Sequence, residues 1–327
     1  MKKRKKTALI CALTLLLCGF LLWICRASDQ PEEIIPSSQG EDKTEEPYFR
    51  LLVAGEDESG GLCDVLILLS IHQESGEVWG LQLPRDTYAA YSEGSYRKLN
   101  GAARILGGME ALCDFLEEGL GVSIHRYLRL SPDALRQGVD ALGGVLLTLE
   151  EPMDYEDPAQ GLSIHLPAGE QLLNGEAAEQ FVRYRWGYAR GDLDRMDAQK
   201  KFLTALYRRI KETVTPLTAV RLATSLMGEV ETDLTLPDLT LLARLLFFAE
   251  ERSVFLVTAP GEEATATQSG ASYYVLSAKG MDELLSERFG GNAGAFDPKE
   301  VFLNDRYATF ERIYRERRTY RIYSVEP

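Results

Sequence analysis

An almost unbroken apolar run near the N-terminus, residues 7–25, constrains the organisation of this chain more than any other feature. At 1.5 Å per residue, a helix of about 19 residues spans most of the roughly 30 Å hydrocarbon core of a bilayer. Five basic residues at positions 2–6 precede the run, and such charge keeps a short N-terminus in the cytoplasm. The pattern predicts a cytoplasmic segment over 1–6, one transmembrane helix over 7–25 and an extracellular body.

A cleaved signal peptide is the alternative interpretation of the same run. No small-x-small cleavage pattern follows it, and Leu17 and Ile24, which precede Cys18 and Cys25, are unfavourable for lipoprotein processing. The sequence therefore favours an uncleaved, single-pass anchor in the cell membrane. Residues 26–47 are rich in Glu, Ser, Gln and Pro and nearly lack large apolar side chains, which predicts a flexible linker.

The charge of the chain excludes one large class of partners. The 327 residues carry a formal net charge of -14, although residues 1–26 hold six basic side chains and no acidic one. The remaining chain therefore carries -20. A body of that charge repels nucleic acid, so any cluster of arginines in it is better suited to a small, localised anion.

Apolar runs and helical spacings alternate after the linker. Strands are predicted over 49–54, 64–71, 78–83, 126–130, 145–149 and 254–258. Helices are predicted over 102–106, 109–118, 132–142, 176–181, 192–214, 218–227, 237–251 and 279–289. This alternation predicts an α/β fold, a layered α-β-α domain with a central mixed sheet over 48–290, followed by a polar C-terminal tail over 291–327.

The cysteines give little chemistry. Cys11, Cys18 and Cys25 lie inside the apolar run, and only Cys63 and Cys113 lie outside it. Those two match no metal-binding spacing, and they either form one disulfide or remain two small unpaired hydrophobic residues.

Two aspartates are candidate metal ligands. Asp57 follows the first predicted strand, at the end of a strand where α/β sheets usually place their sites, and Asp64 opens the second strand. Carboxylates are the hard oxygen ligands that Mg²⁺ accepts, and Gly60 and Gly61 allow the loop between them to fold back. The simpler alternative is that both aspartates are turn residues or caps.

Arginines recur in two later motifs. Arg85 and Asp86 follow the third predicted strand, at the sheet edge where Asp57 lies. In an extended segment Arg183 and Arg185 would point to one face, since side chains alternate along a strand. Farther on, Arg195 and Gln199 are four residues apart on a predicted helix and share a face. The guanidinium fork fits phosphate oxygens two at a time, so arginines beside aspartates indicate a metal-assisted phosphate or pyrophosphate site. Surface ion pairs are the alternative for each motif alone.

The set of motifs is more specific than its parts, and it resembles the LytR–CpsA–Psr family of extracellular bacterial cell-wall ligases. The matching stretches, in order, are Leu52-Val53-Ala54-Gly55-Glu56-Asp57, Asp64-Val65-Leu66-Ile67, Leu83-Pro84-Arg85-Asp86-Thr87-Tyr88, Lys98-Leu99-Asn100-Gly101-Ala102, Gly107-Gly108, Val139-Asp140-Ala141-Leu142-Gly143-Gly144-Val145, Leu173-Asn174-Gly175-Glu176-Ala177-Ala178, Val182-Arg183-Tyr184-Arg185, Gly191-Asp192, Arg195 and Gln199. The match runs from about residue 49 to residue 202.

The resemblance implies an activity and its partners. Such proteins transfer an anionic glycopolymer, a teichoic acid or capsule-like polysaccharide, from a polyprenyl-pyrophosphate lipid to peptidoglycan. By similarity Asp57 and Asp64 hold Mg²⁺, with Mn²⁺ as a substitute. The residues implied to bind pyrophosphate are Arg85, Lys98, Arg183, Arg185, Arg195 and Gln199. The residues implied to be catalytic are Asp57, Arg85 and Asp86. No histidine falls in these motifs, so Asp57 and Asp86 are also the candidates for a general base.

This chain departs from the family pattern at three positions. Leu62 stands where relatives usually have an arginine two residues before the second aspartate, and Ala198 stands where they usually have Arg before Gln. Glu56 replaces a threonine before the first aspartate. These changes keep a second hypothesis open, a non-catalytic membrane-anchored binder of lipid pyrophosphate or wall polymer. The retained aspartates and arginines favour the transferase.

Overall fold

A computed structural model of the protein describes residues 47–91, 97–158, 162–248, 253–266, 269–297 and 322–324. Within these residues no helix is both long and apolar enough to cross a bilayer. The predicted cytoplasmic segment, the predicted anchor and all but the last residue of the predicted linker lie outside the described residues.

The described chain alternates strands and helices. The strands are β1 (Tyr48–Glu56), β2 (Cys63–His72), β3 (Val78–Leu83), β4 (Arg126–Leu130), β5 (Val145–Leu149), β6 (Met153–Asp157), β7 (Leu162–Leu166), β8 (Gly169–Leu173), β9 (Val230–Thr232), β10 (Val254–Thr258), β11 (Gly261–Thr265), β12 (Ser272–Leu276) and β13 (Ile322–Ser324). The helices are α1 (Ala102–Leu106), α2 (Met109–Leu120), α3 (Pro132–Ala141), α4 (Gly175–Arg183), α5 (Asp192–Thr213), α6 (Pro216–Ser225), α7 (Leu236–Phe248) and α8 (Ala278–Arg288).

A seven-stranded sheet, in the order β13-β10-β3-β2-β1-β4-β9, forms the centre of the fold. The neighbours β1, β2 and β3 pair antiparallel, whereas β1 with β4 and β3 with β10 pair parallel. The sheet is therefore mixed, as the sequence predicts. Because side chains alternate along a strand, Leu52 and Leu66 enter one core while Val53 and Ile67 face the opposite side.

Helices cover both faces of this sheet. The main core lies under α1, α2 and α8, and its members include Leu81, Leu112, Leu116, Met281 and Leu284. A second core joins α3, α4 and α5 to the β5–β8 and β6–β7 ribbons, with Val145, Ile164, Phe181 and Phe202 among its members. Burying each such side chain stabilises the fold by about 1.5–3 kcal/mol, so α3, α4 and α5 are held firmly against one another and against the two ribbons.

The contact between α3 and α4 is unusually close. A Cβ atom on Gly175 would lie 2.2 Å from the backbone oxygen of Arg136, so only glycine fits there. The amide of Gly175 also donates to Asp140 Oδ1 at 2.8 Å, and the Asn174 side chain caps α4. This approach sets the distance between the side chains that the two helices present to each other.

Several sequence-based expectations differ from the structure. Of the two alternatives that the sequence leaves open for Cys63 and Cys113, the structure has the second, because both are buried and free. Burial raises the pKa of the Cys63 thiol to about 11 and that of Cys113 to about 12. The strands β6 to β9, β11 and β12 were not predicted, since all of them are short and all except β12 also expose acidic or histidine side chains. The predicted tail over 291–327 is wrong in part, because Phe296 enters the main core and β13 pairs with β10.

Candidate functional site

A cavity of about 480 Å³ lies between the sheet and the helices α3, α4 and α5. Its apolar wall is formed by Val53, Leu62, Val65, Ile67, Leu130, Leu135, Val182, Phe202 and Leu203. Its polar wall includes Asp57, Asp64, Arg85, Arg183, Arg195 and Gln199, all of them site residues predicted from the sequence. They converge because the ends of β1 and β3 and the start of β2 lie at one sheet edge, beneath α4 and α5.

Arg85 and Arg195, here called the inner arginine pair, share two carboxylates. Arg85 Nη1 donates to Asp64 Oδ1 at 3.0 Å, and Arg195 Nη1 lies 3.7 Å from Asp64 Oδ2. Asp192 Oδ1 lies 3.4 Å from Arg85 Nε and 2.8 Å from Arg195 Nη2. The sequence motif that contains Asp192 assigns it no role. Its position at the start of α5, three residues before Arg195, was the available indication of this contact.

The inner arginine pair holds donors that find no hydrogen-bond partner among the described residues. Arg195 is only 5 % exposed in its side chain, and its Nε and Nη2 atoms make no bond of acceptable geometry, nor does Arg85 Nε. Asp192 Oδ1 is close to Arg195 but not aligned as an acceptor. Burial, with the neighbouring Arg85, lowers the pKa of Arg195 although Asp192 and Asp64 oppose the shift. Buried donors without acceptors cost about 1–3 kcal/mol each, a cost that an anionic ligand would remove.

Asp57 faces its own loop. Its Oδ1 accepts the amides of Gly61 and Leu62 at 3.1 Å each, and its Oδ2 accepts the Ser59 hydroxyl at 2.6 Å. Burial raises the pKa of Asp57, but these hydrogen bonds outweigh it and hold the pKa below its usual value. A carboxylate with a depressed pKa is a weak base, which argues against Asp57 as the general base.

The donor set fits Mg²⁺ only with a phosphate ligand present. Asp57 and Asp64 both line the cavity and are hard oxygen ligands, but Asp64 is bound by Arg85 and Asp57 by its own loop. Among the described residues, no three His, Cys, Asp or Glu side chains form a group that could hold a metal ion. Mg²⁺ is commonly held by one or two carboxylates together with substrate phosphates, and these two aspartates fit that arrangement.

A second cluster at the cavity joins the loop after β1 to α3 and α4. Arg136 and Arg183, here called the outer arginine pair, both donate from Nη1 to Glu179, Arg183 at 2.7 Å. Burial raises the pKa of Glu179, but hydrogen bonds with Glu58, Arg183 and Arg136 outweigh it, so the pKa lies below its usual value. Sequence reasoning missed Arg136 and Glu179; the i,i+4 spacing of Glu179 and Arg183 was the only indication.

Three predicted site residues are not among those that line the cavity: Asp86, Lys98 and Arg185. Lys98 Nζ lies 3.0 Å from Asp86 Oδ1, so these two form an ion pair with each other. Arg183 is the last residue of α4 and Arg185 lies beyond it, exposed to solvent. The condition of one extended segment is therefore not met, and Arg183 lines the cavity whereas Arg185 does not.

Gln199 and the three departures from the family pattern also have defined surroundings. Gln199 accepts from Gln82 Nε2 at 2.8 Å and donates to the Val182 carbonyl at 3.2 Å, which ties α5 to β3 and α4. Ala198 lies in the second core, and Leu62 lines the cavity. Glu56 is paired with Arg129, so its charge is compensated within the protein.

The fold and the site together define a class of protein: an α/β domain with a cavity that has an apolar wall and, in its polar wall, a buried arginine pair. The chain belongs to the LytR_cpsA_psr family, whose model matches residues 26–289.

Named relatives agree with this membership, and solved structures share the fold. The chain is 29% identical over 258 residues to the polyisoprenyl-teichoic acid–peptidoglycan teichoic acid transferase TagU of Oceanobacillus iheyensis, covering 75% of this chain and 77% of that protein. It is 28% identical over 226 residues to TagU of Bacillus subtilis, and that match covers 64% of this chain and 72% of that protein. Two solved structures share the fold. B. subtilis TagV has a TM-score of 0.64 and 23% sequence identity, and the match covers 75% of this chain and 98% of that one. TagT bound to LI-WTA has a TM-score of 0.60 and 21% identity, and the match covers 80% of this chain and 94% of that one.

Proposed function

We propose that this protein transfers an anionic glycopolymer, of the teichoic acid or capsule type, from a polyprenyl-pyrophosphate lipid to peptidoglycan. The observation that carries the proposal is the inner arginine pair at the polar wall of the cavity, whose buried donors have no acceptor within the part of the chain that the structure describes. A ligand with an apolar chain joined to a pyrophosphate matches both walls. The relatives named as teichoic acid transferases support the same activity.

Different residues of the cavity would have different roles in such a transfer. The apolar wall, with Val65 and Phe202, would bury the prenyl chain next to the pyrophosphate. Arg85 and Arg195 would bind phosphate oxygens and stabilise the charge that develops on them, which is the main requirement of phosphoryl transfer. An acceptor hydroxyl on peptidoglycan attacks the phosphorus next to the glycan, and the bond to prenyl phosphate breaks.

Asp57 and Asp64 are the residues that would hold Mg²⁺ in this proposal, together with the donor's own phosphate oxygens. The ion would neutralise negative charge on the leaving prenyl phosphate. The same Asp64 carboxylate lies 3.0 Å from Arg85 Nη1, so it also positions one member of the inner arginine pair.

The test is a reconstituted reaction with the full-length chain in detergent. A polyprenyl-pyrophosphate-linked glycopolymer and peptidoglycan fragments are supplied with Mg²⁺, and both prenyl phosphate release and polymer attachment are measured. Release that depends on both substrates is the expected result. Tight binding of the lipid without release would replace the transferase with the non-catalytic binder, and absence of lipid binding would overturn both.

A further inference from the structure

Glu58 is an acidic side chain set between Arg183, which lines the cavity, and Arg136, which lies next to Arg183 but is not among the lining residues. It lies in the loop between β1 and β2, and it lines the cavity together with Glu179 and Arg183. Its Oε1 atom is 3.2 Å from Arg136 Nη1 and 3.3 Å from Arg183 Nη1. One carboxylate oxygen therefore receives donors from two different helices, which is how a phosphate oxygen is held between guanidinium groups.

The outer arginine pair is fixed without the help of Glu58. Glu179 accepts from both arginines and is only 11 % exposed, whereas the Glu58 side chain is 47 % exposed. Asp133 adds a second anchor for Arg136 at 2.7 Å, and the Gly175 contact holds α3 against α4. The two guanidinium groups would keep their positions if the Glu58 side chain turned away.

Glu58 can leave at small cost to the rest of its loop. The hydrogen bonds that shape this loop run from Ser59, Gly61 and Leu62 to Asp57, and none of them uses the Glu58 side chain. Its displacement needs only a side-chain rotation. Exposed ion pairs of this kind contribute little to stability.

We propose that Arg136 and Arg183 form a phosphate-binding subsite which Glu58 occupies in the ligand-free protein. This deepens the proposed function, on which it rests: the subsite takes the second phosphoryl group of the lipid pyrophosphate, next to the one held by the inner arginine pair. With Glu58 in place, two arginines face three carboxylates, Glu58, Glu179 and Asp133. A phosphate in the subsite would need the Arg136 and Arg183 Nη1 donors that Glu58 Oε1 accepts, so the ligand and Glu58 exclude each other.

The experiment compares two probes on the full-length chain in detergent: geranylgeranyl pyrophosphate and geranylgeranyl monophosphate, titrated by calorimetry. Glu58→Gln is expected to tighten pyrophosphate binding about three- to fivefold, the scale of a partly exposed ion pair, and to leave monophosphate binding unchanged. Arg136→Gln is expected to weaken pyrophosphate binding alone. In the double variant, Glu58→Gln should no longer tighten binding, because the subsite it frees is gone.

Matched controls keep the outcomes separate. Glu74→Gln removes one exposed acid from the turn between β2 and β3 and should change neither affinity. Thermal denaturation of Arg136→Gln shows whether α3 still packs, and Arg136→Lys retains the charge if it does not. Unchanged or weaker pyrophosphate binding by Glu58→Gln, or equal changes for both probes, would overturn the subsite. Failure of the wild-type chain to bind either probe would instead count against the proposed function.

Discussion

The inner and outer arginine pairs differ in what occupies their donors. The inner pair is more buried, and three of its nitrogen atoms, Arg85 Nε and two on Arg195, have no hydrogen-bond partner in the described ranges. The outer pair is more exposed, and its hydrogen bonds go to the carboxylates of Glu58, Glu179 and Asp133. The comparison shows two ways to prepare for an anion: one pair keeps donors free at a cost in stability, and the other holds an internal anion that must leave.

The largest expected effect falls on Asp64, which serves the inner pair and the proposed metal. Asp64→Asn should lower Mg²⁺-dependent turnover about a thousandfold, near 4 kcal/mol of barrier, because it removes a metal ligand and loosens Arg85. Prenyl phosphate release over a Mg²⁺ titration measures it. Asp114→Asn, an exposed aspartate on α2, is the control. Turnover close to wild type at every Mg²⁺ concentration would remove Asp64 from the metal site.

Arg195 provides the test of the unpartnered donors. Arg195→Ala should weaken binding of geranylgeranyl pyrophosphate about a hundredfold, since desolvated contacts to a charged group contribute about 1.5–3 kcal/mol each. Arg195→Lys should recover part of the loss, because an ammonium lacks the planar fork. The control is Arg190→Ala, an exposed arginine paired with Asp194 and Asp197 beside the same helix. Equal losses in Arg195→Ala and Arg190→Ala would mean that burial has no part in the effect.

Variants of Arg183 and Arg185 test whether binding depends on the arginine of the outer pair and not on its neighbour in sequence. Arg183→Ala should weaken pyrophosphate binding about tenfold, while Arg185→Ala, which removes an exposed side chain outside the cavity lining, should change it less than about twofold. The same calorimetric titration serves both variants. A loss in Arg185→Ala as large as that in Arg183→Ala would show that the segment after α4 rearranges around the ligand.

The smallest effect is a gain. Leu62 lines the cavity between Asp57 and Asp64, where relatives usually carry an arginine. Leu62→Arg should tighten pyrophosphate binding about threefold, because the new cation is partly exposed and its charge is partly screened. Leu62→Met, of similar volume and without charge, is the control. If the two variants behave alike, the missing cation has no bearing on affinity.

The residues at strand ends were predictable from the sequence. Asp57 follows β1, Asp64 is the second residue of β2 and Arg85 lies just beyond β3, and the antiparallel pairing of these strands brings all three to one edge. Apolar runs mark such strands clearly, and adjacent strands joined by short turns usually pair. The polar wall of the cavity was therefore accessible to sequence reasoning, and so was the mixed sheet.

The outer arginine pair could not be predicted from the sequence in this way. Arg136 and Glu179 are 43 residues apart in the chain, and their contact depends on how closely α3 and α4 approach each other. No local spacing encodes such a contact. The separation of Arg183 from Arg185 had a similar cause, because the end of α4 is set by tertiary packing rather than by the propensity of the residues around it.

Gly175 has a consequence for how such a protein can change over generations. Its missing Cβ is what lets the Arg136 backbone lie against α4, so any larger residue would push the helix that carries Arg136 away from Glu179. Substitution at this position would therefore disturb both the packing of α3 against α4 and the placement of the outer arginine pair. A glycine with no atom in the site would then be under selection for ligand recognition as well as for packing.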